Sequence, residues 1–109
     1  PKHTKKPYIL GHMVYFTLKD RSAANAAKLV EARRKYLTDH PGTTFFAVGT
    51  LVPDLTRSVN QLDFDVALQM IFASREAHDT YQQHPRHLQF IEENKATWER
   101  VRVFDANVS

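Results

Sequence analysis

The sequence predicts an α+β domain whose elements follow the order β-α-β-β-α-β. Three patterns support this prediction. Apolar residues alternate with period two in several segments, which is typical of strands. Between these segments, apolar residues recur at helical spacing. The pair His84-Pro85 interrupts the second helical region. A chain of 109 residues has room for one hydrophobic core, so a second domain is not expected.

The first predicted strand covers residues 8–18 and is apolar on both faces. A chain this short can cover only one face of its sheet with helices, so the other face predicts a partner subunit. Ser22 is the predicted N-cap of a helix that continues to about Asp39, where the turn His40-Pro41-Gly42 follows. The inward stripe of this helix consists of Ala26, Leu29, Val30, Tyr36 and Leu37.

Two strands are predicted in the middle of the chain, at residues 43–51 and 62–72, with a polar loop between them. The second of these strands alternates regularly. Its predicted inward residues are Phe64, Val66, Leu68, Met70 and Phe72.

The last part of the chain predicts two helices and a strand. Ser74 begins a short helix, and Pro85 begins a second helix that runs to about Glu99. The inward residues of that second helix are His87, Ile91, Asn94 and Trp98. Residues 101–105 form the final strand, which completes a ferredoxin-like order.

Composition excludes several classes of protein. The chain has no cysteine, which removes disulfides and thiolate chemistry, and it has no apolar run long enough to span a bilayer. We therefore expect a cytoplasmic protein without a membrane partner. Only three glycines are present, and no phosphate-binding loop or nucleophile elbow occurs.

The net charge of +3 comes from the amino end. Three of the 15 basic residues, Lys2, Lys5 and Lys6, lie in the first seven positions, and the remaining basic residues balance the 12 acidic ones. No nucleic-acid partner is expected from so small a basic segment. The predicted organisation is a basic flexible tail at residues 1–7, one domain at residues 8–106 and a tail at residues 107–109.

Three segments resemble the stress-responsive dimeric α/β-barrel (Dabb) family. They are GHMVYFTLKD at residues 11–20, LDFDVALQMIFASREAHDTYQQHPRHLQFIEE at residues 62–93 and VRVFD at residues 101–105. The most specific piece is Tyr81-x-x-His84-Pro85-x-His87, which comes after the segment F-x-S-x-E-A at residues 72–77. The resemblance implies a homodimer in which two ferredoxin-like sheets pack into a barrel with the helices outside.

One type of family member, olivetolic acid cyclase, suggests roles for individual residues. In that enzyme a tyrosine and a histidine corresponding to Tyr81 and His87 are catalytic, and a histidine corresponding to His12 lines the pocket. This sequence departs from it at Val66, which aligns with a further histidine of the cyclase. The resemblance therefore implies the fold more firmly than the substrate.

The favoured function is binding of a small hydrophobic or aromatic compound between sheet and helices. The predicted catalytic residues are His12, Tyr81 and His87, and the predicted pocket residues are Phe16, His84, Ile91 and Trp98. The alternatives are a cofactor-free polyketide cyclase or lyase with His87 as base and Tyr81 as polarising donor, an antibiotic-biosynthesis-type monooxygenase, and a structural stress dimer without a ligand.

A structural role competes with each of these assignments. His87 could cap its helix and bond Tyr81 rather than act on a substrate, and Trp98 could be a core residue. His40, His78 and the cluster Arg33-Arg34-Lys35 are predicted to be solvated. No cofactor and no metal are expected, although His84, His87 and His12 carry ligand groups that transition metals accept.

Overall fold

Four antiparallel strands form one sheet in the computed structural model, which describes residues 9–109. The elements are β1 (Ile9–Leu18), α1 (Ala23–Leu37), β2 (Thr43–Thr50), β3 (Val66–Phe72), α2 (Arg75–Gln83), α3 (Pro85–Asn94), a 3₁₀ turn (Lys95–Thr97) and β4 (Trp98–Val108). The strand order is β2-β3-β1-β4, and every neighbouring pair is antiparallel. This arrangement confirms the predicted ferredoxin-like fold. The predicted tail at residues 1–7 lies outside the described residues.

The core lies between one face of the sheet and the helices. Alternate residues of the two central strands, among them Phe16, Leu68 and Phe72, are buried, as the period-two pattern predicts. The helices contribute Leu29, Leu37, Tyr81 and Phe90 from the other side. Burial of these large side chains is the main favourable term that holds helices and sheet together.

Each helix begins at a residue whose side chain accepts a backbone N–H. Ser22 accepts from Asn25 N at 3.2 Å, and Ser74 accepts from Ala77 N at 3.0 Å, which confirms both predicted helix starts. His84 separates α2 from α3, and its Nδ1 accepts from Arg86 N at 3.1 Å. Pro85 follows at the first helical position, where its missing N–H leaves no partner unsatisfied.

The third strand begins at Val66, and the prediction that it begins at residue 62 is wrong. Arg21 donates to the carboxylate of Asp65 at 3.0 Å and to the carbonyls of Leu62 and Phe64, so these two carbonyls bond a side chain and take no part in a strand ladder. The N–H of Asp65 donates to the carbonyl of Phe16 at 2.7 Å, so backbone pairing starts directly before Val66. Phe64 consequently packs on Tyr15, with ring centroids 5.0 Å apart, on the sheet face opposite the helices. It does not share the inward face of Val66.

The last helix is shorter and the last strand longer than predicted. Helix α3 ends at Asn94, and Trp98 is the first residue of β4, where it pairs with Leu18 of β1. Strand β4 then continues to Val108, opposite Ile9, and includes two positions of the predicted tail at residues 107–109. The reason is the ten-residue length of β1, which offers β4 backbone partners over its whole length.

The second face of the sheet carries apolar side chains that none of the helices in residues 9–109 covers. Phe45 and Phe104 are 49% and 56% exposed, and Phe104 packs on Tyr15 at a centroid distance of 5.8 Å. Among residues 9–109, no helix is long and apolar enough to cross a membrane.

Candidate functional site

A cavity of about 380 Å³ lies between the helix-covered face of the sheet and the helices. Side chains from β1, β3, β4 and all three helices line it. The polar and charged members of this lining are His12, Arg33, His78, Tyr81, Gln82, His87 and Asp105. The remaining walls are apolar, and they include three of the predicted pocket residues, Phe16, Ile91 and Trp98. Its size and its largely apolar lining are typical of small-molecule sites.

His12 is held by a carboxylate on the neighbouring strand. The β1–β4 register places it opposite Asp105, and its Nδ1 lies 2.5 Å from Asp105 Oδ1. Burial lowers the pKa of His12, and the hydrogen bond from its ring to Asp105 offsets that effect only in part. The ring is therefore neutral at pH 7. Because Nδ1 donates to the carboxylate, Nε2 carries the free lone pair and can accept a proton.

Tyr81 and His87 lie side by side, with ring centroids 4.5 Å apart. The Nδ1 of His87 donates to the carbonyl of Gln82 at 3.2 Å, which leaves its Nε2 as an acceptor. Burial lowers the pKa of His87 to about 4 and raises the pKa of the Tyr81 hydroxyl. At neutral pH the imidazole is uncharged and the phenol keeps its proton.

The structure brings His12 close to Tyr81, at a centroid distance of 6.0 Å, so the three predicted catalytic side chains share one cavity. His84 is different, since it does not line this cavity. Its ring packs on His40 at a centroid distance of 4.7 Å and caps α3. The helix-capping role considered for His87 thus belongs to His84.

Two histidines that the sequence assigned to solvent are buried or half-buried. His40 is 4% exposed because its Nε2 donates to the carbonyl of Tyr36 at 2.8 Å and its ring packs on Tyr81. His78 lines the cavity, with its ring centroid 5.1 Å from that of His12. The prediction that both are solvated is wrong. The burial of His78 could have been predicted from its spacing, because it lies three residues before Tyr81 and so shares one face of α2 with it.

Three side chains that could ligate a metal ion lie close together in the cavity. His12, His78 and Asp105 each place one ligand atom within 4.8 Å of the others. Two imidazoles and a carboxylate are a donor set that zinc and iron accept. The sequence grouped His12 instead with His84 and His87, and the structure separates His84 from them.

Arg33 is the main residue that the sequence analysis missed. It is 1% exposed, and its guanidinium carbon lies 3.7 Å from the centroid of the Phe16 ring. Burial lowers the pKa of Arg33 to about 9, so the group is charged at neutral pH. The prediction of a solvated Arg33-Arg34-Lys35 cluster is therefore wrong for its first member. The signal was present, because Arg33 follows Leu29 by four residues in the inward stripe of α1.

Comparison with known proteins gives one family. The model of the Dabb family, the stress responsive A/B barrel domain, matches residues 10–108. No curated protein matches the chain.

Several solved structures share the fold. A Dabb family protein with a ferredoxin-like fold from Mesorhizobium loti is 25% identical with a TM-score of 0.74, covering 91% of this chain and 95% of its own. A dimeric ferredoxin-like protein of unknown function from Thermobifida fusca is 16% identical with a TM-score of 0.77, and the match covers 98% of this chain and 97% of that protein. A hydroxynitrile lyase from Passiflora edulis is 21% identical with a TM-score of 0.73, and the match covers 95% of this chain and 96% of that protein.

The depressed pKa of His87 predicts how stability depends on pH. The pKa of this group is about 4 in the folded protein, against 6.5 for an ordinary histidine. The unfolded chain therefore binds more protons below pH 6.5, and the free energy of unfolding falls as the pH drops from about 6.5 to about 4. The contribution of this one group is at most about 3 kcal/mol.

Histidine NMR titration, assigned by comparison with His87→Gln, measures the pKa directly, and urea unfolding at pH 7 and pH 5 measures the stability. We expect a midpoint near pH 4 and a smaller pH dependence of stability in His87→Gln than in the wild type. A midpoint at or above 6.5 would contradict the buried, neutral state of His87.

Proposed function

The chain belongs to the stress responsive A/B barrel domain family, and we propose that it works as a homodimer that binds a small hydrophobic or aromatic compound in the cavity between its sheet and helices. The observation that carries this proposal is the cavity itself. It combines apolar walls with three groups, His12, Tyr81 and His87, that can each make a directed hydrogen bond. A ligand of that kind would gain affinity from the walls and orientation from the polar groups.

The exposed face of the sheet supports the homodimer. Tyr15 contacts both Phe64 and Phe104 there, and the β2–β3 register places the exposed Phe45 on the same side. Large exposed apolar patches mark interaction surfaces. A second copy of the same sheet would cover this patch, as in the barrel that the family forms, and the Thermobifida fusca neighbour is described as dimeric.

A second candidate function, proton abstraction next to a carbonyl, is favoured by the His12–Asp105 pair. Asp105 fixes the ring of His12 so that Nε2 can take a proton from a carbon beside a carbonyl group. The Tyr81 hydroxyl can then donate a hydrogen bond to the enolate oxygen that forms. A solved structure with this fold, from Passiflora edulis, is described as a hydroxynitrile lyase, so the fold occurs in an enzyme of the lyase class. The sequence predicts His87 as the general base, but His12 is the histidine whose ring is held by a carboxylate, so we assign the base to His12 in this reaction.

Trp98 provides a test of ligand binding, because it is the only tryptophan in the chain and it lines the cavity. Phenylacetone, a small neutral aromatic ketone, should quench its fluorescence with a saturable curve. Ile91→Phe places a larger side chain in the cavity and should weaken binding at least about tenfold.

Leu88→Phe is the matched control for that experiment. Leu88 lies on the same helix but is 48% exposed and does not line the cavity, so its variant should bind like the wild type. Linear quenching without saturation, or equal affinities for all three proteins, would contradict binding in this cavity.

Hydrogen exchange in D₂O tests the candidate reaction without knowledge of the natural substrate. If His12 abstracts a proton, the protein should accelerate exchange of the benzylic protons of phenylacetone, as followed by NMR. His12→Gln should lower that acceleration by about 10²–10⁴-fold, as expected for loss of a general base. His84→Asn, which removes a histidine outside the cavity and retains a helix-capping side chain, should leave the rate unchanged. Exchange no faster than in buffer means that the cavity only binds.

A further inference from the structure

The guanidinium of Arg33 is a buried charge without an anionic partner. It is 1% exposed, and its Nε, Nη1 and Nη2 atoms have no hydrogen-bond acceptor among residues 9–109. Residues 1–8 contain no aspartate or glutamate, so no carboxylate of this chain is available from that segment either. A charge taken out of water without a partner is unfavourable, and proteins generally pair or neutralise it.

The carboxylates of Asp105 and Glu93 are bound to other side chains. Asp105, the one acidic side chain that lines the cavity, lies against His12. Glu93 of α3 accepts from the hydroxyl of Tyr36 at 2.8 Å and from Gln89 at 2.8 Å. The contacts of Arg33 are instead aromatic, with Phe16 at 3.7 Å and Phe90 at 5.0 Å from its guanidinium carbon. Ring faces attract a cation but accept hydrogen bonds poorly, so they leave the N–H donors free.

Trp98 supplies a second unpaired donor in the same cavity. Its Nε1 is buried and has no hydrogen-bond acceptor in the described part of the chain. Its ring packs on Phe16 at a centroid distance of 4.7 Å, next to the aromatic face that Arg33 covers. Buried donors are normally satisfied, and two unsatisfied ones around a cavity indicate a missing acceptor.

From these observations we infer that the compound bound in this cavity carries a carboxylate, which pairs with Arg33 while its apolar part contacts Phe16, Phe90 and Trp98. The inference deepens the proposed function and rests on it. A guanidinium matches the two oxygens of a carboxylate in a bidentate pair. Arg33 is the only lysine or arginine among the cavity-lining residues of the described chain, so the charge balance favours a monoanion over a phosphate.

Calorimetric titration with phenylacetate and with its neutral amide, phenylacetamide, tests the inference on the wild-type protein at pH 7. The two probes have nearly the same shape and differ in charge. We expect the acid to bind about 10- to 100-fold more tightly than the amide, as is typical of a charge-assisted hydrogen-bonded pair. Equal affinities, or a preference for the amide, would overturn the inference and leave the proposed function intact. If neither probe binds, the inference and the proposed function both fail.

Two variants locate the preference at Arg33. Arg33→Met should abolish the preference for the acid, whereas Arg34→Met, which removes an exposed arginine one position later, should retain it. A preference that survives in Arg33→Met would contradict the assignment to this side chain.

The melting temperature of Arg33→Met separates a binding role from a structural one. If Arg33 serves a ligand, its replacement by an apolar side chain of similar length should leave the ligand-free protein at least as stable as the wild type, because it removes an unpaired buried charge. A lower melting temperature in Arg33→Met together with an unchanged preference for phenylacetate would show that Arg33 is structural.

Discussion

The antiparallel ladder between β1 and β4 is the constraint on which the cavity depends. Pairing along the whole of β1 sets His12 opposite Asp105 and requires β4 to begin at Trp98, directly after the turn that ends α3. The His12–Asp105 pair and the indole of Trp98, which lines the cavity, are therefore positioned by backbone register. Side chains held on strands are positioned more rigidly than side chains on loops, which suits both selective binding and proton transfer.

The electrostatics of the cavity follow from its burial. Burial lowers the pKa of His12 and His87 and raises that of Tyr81, so these three groups are uncharged at neutral pH. Among the described residues that line the cavity, Arg33 is the only lysine or arginine, and its guanidinium has no hydrogen-bond acceptor. The acidic side chain of the lining, Asp105, is 43% exposed and lies against His12. A buried fixed cation favours negative charge beside it, whether that charge is brought by a ligand or develops during a reaction.

Sequence patterns predicted the fold, and six of the seven site residues predicted from the sequence line the cavity. The limits of that prediction are physical. Alternation and helical spacing identify which face is buried, so the element order and the shared location of His12 and Tyr81 could be predicted. They do not say what stops a strand from pairing, so the contacts of Arg21 with the carbonyls of Leu62 and Phe64 could not be predicted from them.

The same limit explains the missed polar residues. Hydrophobicity rules assign an arginine to solvent, and Arg33 was left out of the inward stripe although its spacing from Leu29 and Leu37 fits that stripe. Asp105 was missed because its partner depends on the β1–β4 register, which no local pattern specifies.

A crystal structure of the protein with phenylacetate bound would show whether the space between sheet and helices is a ligand site built around Arg33. We expect the carboxylate within hydrogen-bond distance of the Arg33 guanidinium, with the phenyl ring against Phe16 and Trp98 and the adjacent carbon facing His12. A structure in which side chains close the cavity, or in which the acid binds elsewhere, would mean that this space is not the ligand site.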